Sequence, residues 1–182
     1  LDVACGTGDI CCKIIQHNPL IELTCLDPNE EMIEICKQKL INKGYTKTNF
    51  HIKGIEEYNP KNNKYDLITI AFGFRNFTNH KKALGNIYNT LTPGGKLMIL
   101  DFKIPRNNLS SQLFKTYTLD IIPKLGKLIA NDEDSYRYLG ESIQTYFSPD
   151  EINDMLNEAG FIKTKIINLL EDVASIHIGY KA

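Results

Sequence analysis

Leu1-Asp2-Val3-Ala4-Cys5-Gly6-Thr7-Gly8-Asp9 opens the chain: a short apolar run stops at two glycines around Thr7 and gives way to a helical pattern. Two glycines let the backbone make a tight strand-to-helix turn with no Cβ in the way of a ligand laid against it. The next polar landmark is Asp27, which closes the run Ile21-Glu22-Leu23-Thr24-Cys25-Leu26. It follows the glycines by about 20 residues, the spacing at which an acid at a second strand end reaches a ribose hydroxyl. Loop and acid together imply an adenosine-bearing cofactor held by Gly6, Thr7, Gly8 and Asp27.

A missing glycine narrows the choice. The dinucleotide fingerprint needs a third glycine where this chain has Cys11, so that helix and strand pack tightly behind a pyrophosphate. Asp2 argues the same way, because a carboxylate beside the loop repels pyrophosphate and suits a cationic ligand. S-adenosylmethionine, with its sulfonium and amino groups, is such a ligand.

Moving outward, Asp9 to His17 reads as a helix broken at Asn18-Pro19. A second helix runs from Pro28-Asn29 to about Lys43, with Gly44 as its stop. Met32 lies one turn past Asp27, where its thioether serves either the core or an adenine face. Phe50 to Lys53 is a third strand. Ile55 and Glu56, just beyond its end, are placed to flank an adenine through backbone and side chain. Tyr65 to Ala71 is nearly continuous apolar strand, as expected for a central strand covered on both faces.

That strand runs into Phe72-Gly73-Phe74-Arg75-Asn76-Phe77, where three aromatics enclose two strong polar groups, Arg75 and Asn76. A helix from His80 to Leu91, a turn at Thr92-Pro93-Gly94-Gly95 and a strand from Lys96 to Phe102 continue the β-α rhythm. The repetition predicts an α/β, doubly wound, mostly parallel sheet. From 103 to 147 the rhythm breaks, and Leu113, Phe114, Leu119, Ile121, Ile122, Leu125, Leu128 and Ile129 read as amphipathic helices of a substrate cover. Ser148-Pro149-Asp150-Glu151 starts a helix that ends at Gly160. Phe161 to Leu169 and Val173 to Tyr180 then predict an antiparallel terminal pair, unlike the dinucleotide fold. His177, in the last run, reads as a structural histidine with its hydrogen bonds satisfied, in preference to a catalyst.

The 182 residues suffice for one domain, 1–182, and the composition is globular. A net charge of −1 gives no electrostatic case for nucleic acid. The five cysteines lie between Cys5 and Cys36 without a C-x-x-C spacing, so they read as buried free thiols in a reducing compartment, with no metal site expected. A chain that starts inside its cofactor strand is expected to be N-terminally incomplete.

On these residues the chain resembles the ubiquinone and menaquinone biosynthesis C-methyltransferase family, class I S-adenosylmethionine-dependent methyltransferases. The likeness rests on Leu-Asp-x-Ala-x-Gly-Thr-Gly-Asp at the start, Phe-Gly-x-Arg-Asn-Phe-Thr at Phe72 to Thr78, and Pro-Gly-Gly at 93 to 95. It also rests on Ile-Ala-Asn-Asp-x-Asp-Ser-Tyr-x-Tyr-Leu at Ile129 to Leu139 and Glu-Ser-Ile at 141 to 143. It implies a seven-stranded sheet, and cofactor contacts at Thr7, Asp27, Ile55, Glu56 and Ala71. It also implies methyl transfer to a ring carbon of a prenylated benzoquinol or naphthoquinol. Arg75 would stabilise a phenolate and Asn76 orient it, with Glu141, Asp132 and Tyr136 as candidate partners. Three departures stand out: Ile55-Glu56 where the family has Asn or Asp before Ala, Ala71 where it often has serine, and Leu100-Asp101-Phe102-Lys103 where Leu-Glu-Phe-Ser is common.

The expected setting is cytoplasmic and membrane-peripheral in a bacterium, or the matrix side of the mitochondrial inner membrane in a eukaryote. A quinone-biosynthesis complex and a homodimer are compatible with it. Two rival readings are a non-catalytic scaffold that binds S-adenosylmethionine and a nucleotide-dependent quinone oxidoreductase.

Overall fold

In the computed structural model, residues 1–59, 64–104, 137, 140–143, 146–169 and 173–182 are described. Seven strands form one sheet: β1 (Asp2–Val3), β2 (Leu23–Asp27), β3 (Thr48–Ile52), β4 (Tyr65–Ala71), β5 (Leu91–Phe102), β6 (Ile162–Leu169) and β7 (Ala174–Tyr180), in the spatial order β3-β2-β1-β4-β5-β7-β6. The first five pair in parallel, and β7 lies antiparallel between β5 and β6. Helices α1 (Asp9–His17), α2 (Glu30–Asn42), α3 (His80–Thr90) and α4 (Pro149–Glu158) pack around it. The doubly wound sheet and its antiparallel end are as expected from the sequence. The cover expected at 103–147 lies almost wholly outside the described residues, as do Asp132 and Tyr136; within it, residues 140–143 are helical.

Each face of the sheet has its own core. Val3, Leu26, Ile68 and Ile70 pack with α3 and α4 through Leu84, Ile87, Ile152 and Leu156. Leu23 and Cys25 pack on the other face with Ile15, Ile33 and Leu40 of α1 and α2. All five residues of β2 are buried, as a parallel strand covered on both faces requires. α4 begins with a complete capping box, in which Ser148 Oγ accepts from Glu151 N and Glu151 Oε2 accepts from Ser148 N, with Pro149 entering the first turn.

Two local expectations are corrected. Thr92 to Gly95 turns at Gly94 (φ 75°) as expected, but inside β5 and not ahead of it: Leu91 already pairs with Tyr65, and the ladder resumes at Lys96 opposite Leu67. The intervening residues bulge outward and are held by Gly94 N to Lys181 O (3.1 Å) and Lys181 N to Gly95 O (2.9 Å). His177 is fully buried but only half satisfied. Its Nε2 pairs with Ser175 Oγ at 2.9 Å, whereas Nδ1 has no partner among the described residues.

Burial, reinforced by the Lys103 charge and opposed by Asp150, lowers the His177 pKa to about 4. The unfolded chain takes up this proton near pH 6.5, while the folded one resists until about pH 4. Between those values the unfolded state binds more protons, so stability falls as pH drops from 6.5 to 4. The expected loss is on the order of 2–3 kcal/mol. Urea unfolding of wild type and His177→Gln across that range checks it, since the glutamine variant should show a shallower decline.

Candidate active site

The strand order reverses between β1 and β4, so a crevice opens beyond their C-terminal ends. β1 is followed by Ala4 (φ 53°) and β4 by Phe72 (φ 57°), two non-glycine residues in left-handed conformations at adjacent strand ends. Such strain persists only where surrounding structure imposes it, and it concentrates at functional sites. Gly73 follows Phe72 and lies so close to Ala4 that any Cβ at 73 would overlap the Ala4 methyl.

A cavity of about 330 Å³ occupies this crevice, lined among others by Ala4, Asp27, Gly54, Ile55, Glu56 and Asn76. Larger cavities of about 400 and 490 Å³ lie elsewhere: one is lined by Leu1, Leu23 and Tyr65 at the opposite strand ends, the other lies between α3 and α4. Position decides between them, because ligands of open parallel sheets bind beyond the carboxyl ends.

Asp27 is the organiser of the crevice. Its Oδ2 accepts from Gly6 N and its Oδ1 from Asn29 N, both at 2.9 Å, so one carboxylate holds the glycine loop and the entry to α2. Asn29 then caps α2 by accepting from Met32 N at 3.2 Å. At the head of α1, Gly8 (φ 79°) presses so closely on Cys36 that a side chain would collide with its Sγ. Among the described residues no side chain caps α1, so none of them satisfies its first amide groups.

The other wall is built from β3 onward. Glu56 Oε1 accepts from Thr78 N (3.1 Å) and Thr78 Oγ1 (3.3 Å), while Asn86 Nδ2 donates to Ile55 O (3.0 Å) and Glu56 O (2.9 Å). The Ile55 side chain is buried in the core, so only its main chain is available to a ligand.

Several candidates stand apart from the cavity. Asp2 is 1% exposed and turns under the loop, accepting from Thr69 Oγ1 (2.6 Å) and Cys11 Sγ (3.0 Å). Burial pushes its carboxyl upward, against those two hydrogen bonds. A role as counter-charge to a cationic ligand does not match this placement; its visible work is to hold β1, β4 and α1 together. Thr7 Oγ1 donates to Asp9 Oδ2 at 2.8 Å, directed at the outer face where Asp9 also pairs with Lys39. Met32 is exposed on the first turn of α2, and Ala71 ends β4; neither lines the cavity.

Arg75 and Asn76 are neighbours on the 3-10 turn Phe74–Asn76, yet they face different surroundings. Asn76 lines the cavity. Arg75, with its side chain 9% exposed, forms an ion pair with Asp101 at 2.8 Å and also donates to Phe72 O and, from Nε, to Ser142 Oγ (3.3 Å). Asp101 Oδ2 accepts from Arg75 N at 3.3 Å, so the carboxylate grips both backbone and side chain of the arginine. Burial raises the Asp101 pKa, and the adjacent guanidinium pulls it back. Among the described residues the Nη2 edge of Arg75 has no hydrogen bond.

Sequence reasoning missed Asp101 as the partner of Arg75. The pairing emerges only from the register: Asp101 lies on β5 next to Leu100, which pairs with Ala71 at the end of β4, four residues before Arg75. Ser142 lies beside the nominated Glu141, which is exposed.

Comparisons with known proteins agree with this geometry. Residues 1–181 match the model of the ubiE/COQ5 methyltransferase family. The chain is 40% identical to the ubiquinone/menaquinone biosynthesis C-methyltransferase UbiE of Wigglesworthia glossinidia brevipalpis, over all of this chain and 73% of that protein. It is 39% identical to the protein of the same name from Hydrogenovibrio crunogenus, over all of this chain and 72% of that one. In fold it is similar to a SAM-dependent methyltransferase from Aquifex aeolicus, with TM-score 0.72, 16% identity, and coverage of 100% of this chain and 80% of the other. A match reaching end to end, on a seven-stranded sheet with its crevice at the β1/β4 reversal, leads to one conclusion: the chain belongs to the ubiE/COQ5 methyltransferase family.

Proposed function

We propose that this chain transfers a methyl group from S-adenosylmethionine to a ring carbon of a prenylated benzoquinol or naphthoquinol, as in ubiquinone and menaquinone biosynthesis. The observation that carries the reading is the pairing of an Asp27-organised crevice with a buried Arg75–Asp101 couple one residue from its wall, in a member of this family.

The residues present fit the cofactor. Asp27 retains acceptor capacity for ribose hydroxyls beyond its two backbone bonds. The Ile55 main chain and the Glu56 side chain edge the place for an adenine. The glycine loop and the uncapped start of α1 supply backbone donors for a carboxylate. When bound, S-adenosylmethionine supplies an electrophilic methyl on a cationic sulfur.

The chain's own work is on the acceptor. A ring carbon becomes nucleophilic when an adjacent phenol loses its proton, and Arg75 stays protonated, so it acts as a donor and not as a base. Its Nη2 edge, without a hydrogen bond among the described residues, stabilises the developing phenolate, directly or through a water that carries the proton away, while Asp101 fixes its orientation. Asn76 aligns the ring from the cavity side. Phe72 and Phe102, 4.6 Å between centroids, offer apolar surface beside the pair.

A prenyl tail keeps the substrate in a lipid phase, and no helix among the described residues is long and apolar enough to cross a membrane. Peripheral contact with the bilayer, through the 103–147 cover and within a quinone-biosynthesis complex or homodimer, is the arrangement that brings the two together.

Labelled methyl transfer from S-adenosylmethionine to a reduced quinol by the full-length protein tests the reading. Cofactor binding without transfer to either quinol class would leave only the scaffold, and tighter binding of a nicotinamide dinucleotide would end it. Within it, Asp27→Ala should weaken cofactor binding by about 1.5–3 kcal/mol, the worth of hydrogen bonds to a charged group. Calorimetric titration of the variant against wild type measures the loss.

A further inference from the structure

Four of the five cysteines converge beneath the glycine loop. The Sγ atoms of Cys5, Cys25 and Cys36 all lie within 4.8 Å of one another, and Cys11 Sγ is 3.3 Å from Cys25 Sγ. They come from four different elements: the loop, α1, β2 and α2. Cysteines used only as small apolar residues need not bring their sulfurs to one point. The linear spacings, with no C-x-x-C pair, conceal a cluster that only the fold assembles.

We propose that Cys5, Cys25 and Cys36, completed by Cys11, form a structural site for one zinc ion. Tetrahedral thiolate coordination at roughly 2.3 Å sets the sulfurs about 3.8 Å apart. The Cys5, Cys25 and Cys36 sulfurs all lie within 4.8 Å of one another and so bracket that spacing, and rotation of the Cys11 side chain, 3.3 Å from Cys25, toward the other two completes the cage. An all-sulfur donor set selects soft ions over magnesium or calcium, and four protein ligands leave no open position for catalysis. Ile15, Leu23, Ile33 and Leu40 make a dry shell around it. Binding releases thiol protons to solvent, and Cys11 gives up its hydrogen bond to Asp2, which keeps the one from Thr69. Because Cys5 adjoins Gly6 and Cys36 presses on Gly8, the ion ties the loop to both helices. The proposal stands on the fold and does not depend on the methyl-transfer reading.

The test uses full-length protein expressed with zinc and purified under a phosphine reductant without chelator. Elemental analysis should find one zinc per chain, and cobalt(II) exchange should give the near-ultraviolet thiolate-to-metal band of a tetrahedral sulfur site. Cys25→Ser and Cys36→Ser should lose both signals, whereas Cys12→Ser, buried nearby but outside the cluster, should keep them. Adding zinc to the metal-free wild type should raise its Tm, a readout that does not rely on any variant folding. Zinc at a small fraction of one per chain with no Tm change on titration would overturn the proposal.

Discussion

Replacing Arg75 by lysine is expected to reduce turnover on a reduced quinol roughly a hundredfold to a thousandfold, the usual cost of one preorganised donor to a developing oxyanion. Lysine keeps a positive charge opposite Asp101. It loses the planar fork that reaches Asp101, Phe72 O and Ser142 at once and, on the proposed reading, turns its remaining edge to the substrate. The side chain does not line the crevice, so affinity for S-adenosylmethionine should stay near wild type. Single-turnover methylation alongside cofactor titration separates the two quantities. A lysine variant within about threefold of wild type would return Arg75 to a structural role, because a merely structural contact does not carry the oxyanion's share of the barrier.

Asp101→Ala is expected to cost stability as well as rate. Removing one member of a buried ion pair typically loses 3–5 kcal/mol, because it strands the other charge away from water. Here the carboxylate is 1% exposed and the alanine would also abandon the main-chain amides of Arg75 and Phe102. Urea denaturation should place the variant well below wild type. The double variant Arg75→Met, Asp101→Leu should recover much of the stability with no activity. Recovery without activity distinguishes a stranded charge from a simple loss of packing.

How far the sequence could be read depended on whether a feature is local. The α1 turn, the α2 start at Asn29 and the Ser148–Glu151 capping box are written in consecutive residues, and each element appears where its residues put it. The antiparallel end was legible because a link of a few residues between Leu169 and Ala174 leaves no room for a crossover helix. Features made by distant residues were not legible. Arg75 meets Asp101 only after β4 and β5 align, the four thiols meet only after two helices dock, and the Thr92–Gly95 bulge depends on Lys181 crossing beside it. Asp2 shows the same limit: its position beside the loop is visible in one dimension, its direction under the sheet only in three.

The two backbone bonds that Asp27 accepts have a thermodynamic consequence. A carboxylate already fixed by Gly6 and Asn29 has surrendered its rotational freedom during folding, so the cofactor that the proposed function places there would meet an ordered acceptor. On that reading, affinity draws on the stability of the loop and the first turn of α2. Substitutions that loosen that turn weaken binding from a distance, without removing any group the ligand touches.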